Sequence, residues 1–244
     1  MDTPPASPQL IADIVDANHI LYHQGIVDAF GHVSARHDAQ PEHFLMSRSL
    51  APGLVTAADI VTSAVGDGEA LAADAPRAYL ERWIHSEIYK ARPDVMAVVH
   101  NHSQAVLPFT IARGARLRPV CHMSGFLGGG APLFEIRDVA GDGTDLLIRS
   151  RALGEALAAK LGNAHVVLMR GHGCTVAAPS VRLAVYRAIY TEVNAKLLLQ
   201  ALALGEVHSL SLAEAEATRI TNEAQVERPW NLWRQLAQAA ALAP

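Results

Sequence analysis

Apolar residues recur at helical spacing from the start of the chain. Leu10, Ile11, Ile14, Val15, Ile20 and Leu21 mark one face of a helix that ends near Gly25. Two strand-like pieces follow, at Gly31–Arg36 and Phe44–Ser47. Thr56-Ala-Ala-Asp59 has the form of a capping box with Asp in the acidic position, ahead of a β segment over 60–65 closed by the turn Gly66-Asp-Gly68. Pro76 is predicted to open a second helix carrying Leu80, Trp83, Ile84, Glu87 and Ile88. That helix must end near Ala91, because Arg92 precedes Pro93 and is biased away from helical geometry.

Val95–His102 reads as a buried strand, and Leu117–Met123 and Asp145–Ile148 as two more with the Gly-rich loop Gly128–Pro132 between them. A helix over 150–161 stops at Gly162, and the apolar run His165–Met169 leads straight into Gly171-His172-Gly173. Leu183, Ala184, Ile189, Val193, Leu197, Leu198 and Ala201 outline a long helix over 180–204, followed by another over about 211–225 and an amphipathic piece holding Trp230 and Trp233. No repeat or long linker interrupts the alternation. Residues 1–8 are expected to be a disordered Pro-rich tail and residues 9–244 a single layered α/β domain.

Composition narrows the function classes. A chain of 244 residues, half of them hydrophobic, can bury one sizeable core. Twenty Lys and Arg against 24 Asp and Glu, with no basic block, argue against a nucleic-acid surface or a polybasic membrane patch, and leave small molecules as the expected partners. The N-terminus lacks the basic and apolar regions of an export signal, and no apolar run approaches the ~20 residues of a bilayer span, so the expected location is cytoplasmic. Cys121 and Cys174 form no CxxC pair, as in a reducing compartment, and are expected to pack as small apolar residues.

The chain has twelve histidines, several of them clustered in short motifs. His100 and His102 lie at the end of a predicted strand, where side chains two apart share a face, so both imidazoles can reach one cation. His172, flanked by glycines after a buried strand, is a candidate third ligand that leaves a coordination position open. Taken singly, the pair reads equally as a structural contact and the Gly-His-Gly as a turn. Glu81, with His85 one turn later, is either a solvated carboxylate or a site group, and spacing does not decide which.

The segments Asp28–Arg36, Glu81–His85, Ala91–His102 and Gly171–Gly173 resemble, in matching order over about residues 9–205, the class II aldolase/adducin family. The resemblance implies a three-layer α/β/α domain around a central, mainly antiparallel sheet. It also implies one divalent metal ion per subunit on His100, His102, His172 and Glu81, with Glu81 doubling as the catalytic acid/base. Zinc, manganese, iron and cobalt all suit such ligands. Family members commonly form homotetramers, so a homo-oligomer is expected.

The departures from sugar-phosphate aldolases matter as much. Where those have a Gly-Asn, a Thr-Pro-Ser-Gly stretch and a Ser-Ser pair that cradle phosphate, this chain has Gly31-His32, Met46–Gly53 and Ala78-Tyr79-Leu80. A His-Tyr pair of the fuculose type becomes His122-Met123, so that proton-donating Tyr is missing. Arg48, between Ser47 and Ser49, offers a planar fork and two hydroxyls for a substrate carboxylate, unless it is simply a solvated loop arginine. His32 is either a second general acid/base and positioning group or a structural histidine. Phe30, Trp83, Phe126 and Trp230 are candidates to wall an aromatic ring, with ordinary core packing the alternative for each.

Gly31–Arg36 followed by Met46–Gly53 resembles the family branch of hydroxylated aromatic dicarboxylate decarboxylases. Decarboxylation and retro-aldol cleavage both leave electrons to be held as an enolate or phenolate, which a divalent Lewis acid stabilises. The resemblance therefore implies a metal-dependent carbon–carbon lyase, a decarboxylase ahead of a retro-aldol lyase or epimerase acting on a sugar or hydroxy-oxo acid. The remaining alternative is a non-catalytic, adducin-like interaction module, a class that typically loses the metal ligands retained here.

Overall fold

A computed structural model describes residues 5–241. In chain order the elements are α1 (Pro8–His23), β1 (His32–Arg36), β2 (His43–Ser47), β3 (Ile60–Ala64), α2 (Arg82–Ala91), β4 (Ala97–Asn101), α3 (Leu107–Ile111), β5 (Leu133–Phe134), α4 (Arg137–Ala140), α5 (Arg151–Leu161), β6 (Val166–Met169), β7 (Gly173–Ala178), α6 (Val181–Leu204), α7 (Leu212–Glu223) and α8 (Glu227–Ala241). Of the expected tail, residues 1–4 lie outside the described residues. Ser7 already caps α1, its hydroxyl accepting the Leu10 N–H, and Pro8 is helical.

The seven strands form one sheet in the order β3-β2-β1-β4-β7-β6-β5, antiparallel throughout except for the β5–β6 pair. Side-chain alternation splits the core into two clusters. Ala97 and Val99 of β4, Val166 and Leu168 of β6, and Cys174 and Val176 of β7 pack toward α1, α6 and α8. Val98, Val167, Met169 and Ala177 pack on the other face with Ile84 and Ile88 of α2 and Leu153 and Leu157 of α5. Helices thus cover both faces, in three layers. No helix among the described residues is long and apolar enough to cross a membrane.

Three expected elements differ, each for a physical reason. The segment after Pro76 is not helical, and α2 begins only at Arg82. The Arg77 carbonyl instead accepts the Ser49 N–H, and the Tyr79 hydroxyl donates to the Leu50 carbonyl, which ties 77–79 to the loop after β2. Leu117–Met123 is not a strand either. Asn194 of α6 accepts the Val120 N–H and donates to the Arg118 carbonyl, replacing ladder partners with a side chain, and residues 122–127 form a 3-10 turn. Asp145–Ile148 is an irregular loop whose backbone is used in the site described below. Conversely, β7 was not expected, because Gly173–Ala178 is made of small residues with no clear apolar alternation beyond the Gly-His-Gly turn.

Candidate active site

Sheet register lays out the first part of the site. His32 of β1 pairs directly with His100 of β4, and His100 with Thr175 of β7, so the three form one row on the face shared with α2 and α5. His102 lies just past the end of β4. His172 enters from the β6–β7 turn, where Gly171 adopts φ +63°. The same turn brings Gly173 so close to β4 that a Cβ there would lie 2.1 Å from the Asn101 carbonyl oxygen. Glu81 reaches in from the N-terminal end of α2, as the residue before its first turn.

Nε2 of His102 lies 3.1 Å from Nε2 of His100 and 3.0 Å from Nε2 of His172. Oε2 of Glu81 is 3.6 Å from Nε2 of both His100 and His172. Ligands of a tetrahedral cation with bonds of ~2.1 Å stand about 3.4 Å apart, so the four donor atoms fit around one small divalent ion. The donors are also oriented from behind. His172 Nδ1 donates to the Leu146 carbonyl at 2.9 Å, turning the Nε2 lone pair inward, and Thr175 Oγ1 lies 3.3 Å from Nδ1 of His100. The Ile148 N–H donates to Oε1 of Glu81 at 2.9 Å and leaves Oε2 for the cluster.

The loop expected to be a strand thus orients two of the four donors with its backbone. Within it, Leu146 holds φ +69°, a left-handed conformation that costs a branched residue on the order of 1–3 kcal/mol. Burial, reinforced by the neighbouring imidazoles, pushes His100 well below the ordinary histidine range and His102 down to about 4. These rings are neutral at pH 7, the form that ligates a cation. Burial raises the Glu81 carboxyl above its ordinary value against the opposing pull of His172.

An open pocket of about 380 Å³ lies beside this cluster. His32, Glu81 and His102 line its floor, while Phe30, Ser49, Arg77 and Tyr79 contribute to its walls. Phe30 is 68% exposed, its ring centroid 6.4 Å from that of His102. Trp230 and Phe126 are buried in the core on the opposite face of the sheet, and Trp83 stacks with Arg82 and Arg151. Of the four aromatic candidates, only Phe30 faces the pocket.

The expected carboxylate fork is placed elsewhere. Arg48 is absent from the pocket wall, and its Nε donates to Asp59 at 2.7 Å. Asp59 also accepts from the backbone N–H and hydroxyl of Thr56, so the capping box forms as expected and holds the arginine as well. Ser47 is buried, with Oγ 3.1 Å from the Tyr79 hydroxyl, and of the trio only Ser49 lines the pocket. The arginine in the wall is Arg77, exposed and without an ion pair among the described residues. Its position one residue past Pro76 reads in the sequence as the outside of a helix, so nothing singled it out.

The model of the class II aldolase and adducin N-terminal domain matches residues 12–199. The chain belongs to the class II aldolase/adducin family. Decarboxylase tropJ of Talaromyces stipitatus is 40% identical over an alignment covering 96% of this chain and 95% of that protein. A 3,4-dihydroxyphthalate decarboxylase of Terrabacter is 34% identical, over 82% of this chain and 83% of the other. Among solved structures, an L-fuculose 1-phosphate aldolase of Glaciozyma antarctica superposes with a TM-score of 0.77 over 98% of this chain and 94% of that one, at 22% identity. That likeness carries the fold alone. The decarboxylase relatives place the chain in the decarboxylase branch of the family, as an enzyme and a carboxy-lyase.

Proposed function

We propose that this enzyme decarboxylates a hydroxylated aromatic carboxylate, with one divalent cation held by His100, His102, His172 and Glu81. The observation that carries the reading is the convergence of these four donors within 4.8 Å of one another, next to a pocket with an aromatic and an arginine wall. When bound, the cation supplies Lewis-acid chemistry, stabilising negative charge that develops on a substrate oxygen.

The protein's own groups do the rest. Phe30 offers a face for the ring, and Arg77 with Ser49 grips a carboxylate, taking the part that the sequence suggested for Arg48. Glu81, which would touch the cation only while substrate is absent, delivers a proton from Oε2 to the ring carbon that bears the departing carboxylate. The carbon–carboxyl bond then breaks, its electron pair restores the ring, carbon dioxide leaves, and Glu81 regains its proton from water. Tyr79 and Leu80 precede Glu81, and the Tyr79 hydroxyl is bonded to Leu50. Large side chains in place of the small donors of a phosphate cradle favour this reaction over cleavage of a sugar phosphate.

Exposed Leu197, Leu202 and Leu204 on α6 and Leu232 and Leu236 on α8 support a homo-oligomer. The test is a chelated sample reloaded with zinc, manganese, iron or cobalt and offered ortho-hydroxy aromatic mono- and dicarboxylates and sugar phosphates. Carbon dioxide should be released from the former, only in the loaded enzyme, and not by His100→Ala. Full activity after chelation, or aldehyde release from sugar phosphates alone, would overturn the proposal.

A further inference from the structure

Behind the pocket floor runs a chain of four buried polar side chains that the proposed reaction does not use. His32 and Ser34 share a face of β1, and His85 and Tyr89 lie one turn apart on α2. Nδ1 of His32 is 2.7 Å from Nε2 of His85, Nδ1 of His85 is 2.6 Å from Oγ of Ser34, and that Oγ is 2.7 Å from the Tyr89 hydroxyl. All four residues are buried, none more than 3% exposed. We propose that Tyr89, Ser34 and His85 form a one-way hydrogen-bond relay that fixes the proton of His32 on Nε2, so that His32 presents a neutral N–H donor to an anionic oxygen of the substrate. The substrate part of this inference rests on the decarboxylase reading; the relay does not.

The polarity follows from counting donors and acceptors. Among the described residues the Tyr89 hydroxyl has Ser34 Oγ as its one acceptor, the Val98 backbone N–H beside it being able only to donate, and a buried phenol proton without an acceptor is strongly disfavoured. Tyr89 therefore donates to Ser34. The single proton of Ser34 then goes to Nδ1 of His85, which must accept. Burial keeps His85 neutral, pushed down to about 3, so its proton lies on Nε2 and is donated to Nδ1 of His32. The proton of a neutral His32 is left on Nε2. The reverse polarity would strand the Tyr89 proton and is disfavoured by roughly tenfold or more.

His32 lines the pocket, its ring centroid 5.0 Å from that of His100 and 4.7 Å from that of Tyr79, and Nε2 has no hydrogen-bond partner among the described residues. The free donor therefore belongs to the substrate side. Nor can the relay pass a net proton outward, because its far end would become a buried phenolate, and burial pushes the Tyr89 phenol up even with the Arg36 guanidinium 4.8 Å over its ring. His32 thus orients an anion, while Glu81 carries the proton. Ser34, His85 and Tyr89 are positioning residues that act through His32.

Two-bond nitrogen–proton correlation NMR on protein labelled at histidine nitrogens reads this tautomer, with His32→Gln identifying the signal. The wild type, both metal-free and zinc-loaded, should show His32 protonated on Nε2. Ser34→Ala and Tyr89→Phe should each introduce the Nδ1-protonated form and lower kcat/KM for the best hydroxy-aromatic acid on the order of tenfold, the scale expected when an orienting partner is lost. An Nδ1-protonated His32 in the wild type, or an unchanged tautomer in both variants, overturns the inference. An Nε2-protonated His32 in a protein that releases no carbon dioxide leaves the relay standing and overturns only the decarboxylase reading.

Discussion

Glu81 is held between two demands. Burial favours its protonated form, while His172 and the Ile148 N–H favour the carboxylate. The proposed reaction gives this side chain two roles, as a ligand and as a proton carrier, and the two separate in Glu81→Gln. That variant should keep a cation on its three imidazoles, measured by metal analysis, while kcat falls by ~10²–10⁴-fold. The arginines separate as cleanly. Loss of a hydrogen-bonded charge pair typically costs 1.5–3 kcal/mol, so Arg77→Ala should raise KM for dicarboxylates roughly ten- to hundredfold, whereas Arg48→Ala, which loses only the contact to Asp59, should leave KM nearly unchanged. The imidazole triad was legible at this scale because a His-x-His on a strand and a glycine-flanked His carry their geometry in their spacing. Arg77 was not, since an arginine beside a proline has no such signature.

Among the elements, the helices with serine caps, α5 after Ser150 and α6 after Ser180, lie where the sequence put them, because the cap and the apolar spacing are both local. Loops that serve the site broke the expectation. Around Leu146 and Ile148, backbone groups are spent on His172 and Glu81 instead of on a ladder, and no local pattern announces that. Between β6 and β7 the decisive constraint is the contact of Gly173 with Asn101. Gly173→Ala should push β7 away from β4, displace His172, lower stability by about 3 kcal/mol and weaken cation binding, as read by thermal unfolding and metal titration.

For the molecule as a whole, buried histidines set the response to acid. Burial lowers His85 to about 3 and His165 to about 4, whereas in the unfolded chain each titrates near ~6.5. Below that pH the unfolded state binds more protons than the folded state. Stability should therefore fall as pH drops from about 6.5 toward about 4, by roughly 1.4 kcal/mol per pH unit for each such group, in thermal scans of the metal-free protein. A cation that binds only the folded state adds stability by mass action, so chelation should lower Tm and added metal should restore it in a concentration-dependent manner.

The amino-acid sequence by itself determined what depends on neighbours a few positions away. This includes most helices and their stops, the alternation that sends His100 and His102 to one face, and the turn that frees His172. Only the tertiary structure decided which of these groups meet. His172 lies 70 residues beyond His102, yet their Nε2 atoms stand 3.0 Å apart because β4 pairs with β7 in one register. Slipping that register by one residue would turn His100 to the opposite face. Which arginine enters the pocket, and which backbone groups orient His172 and Glu81, depends likewise on contacts between loops remote in sequence, and no periodicity along the chain encodes those.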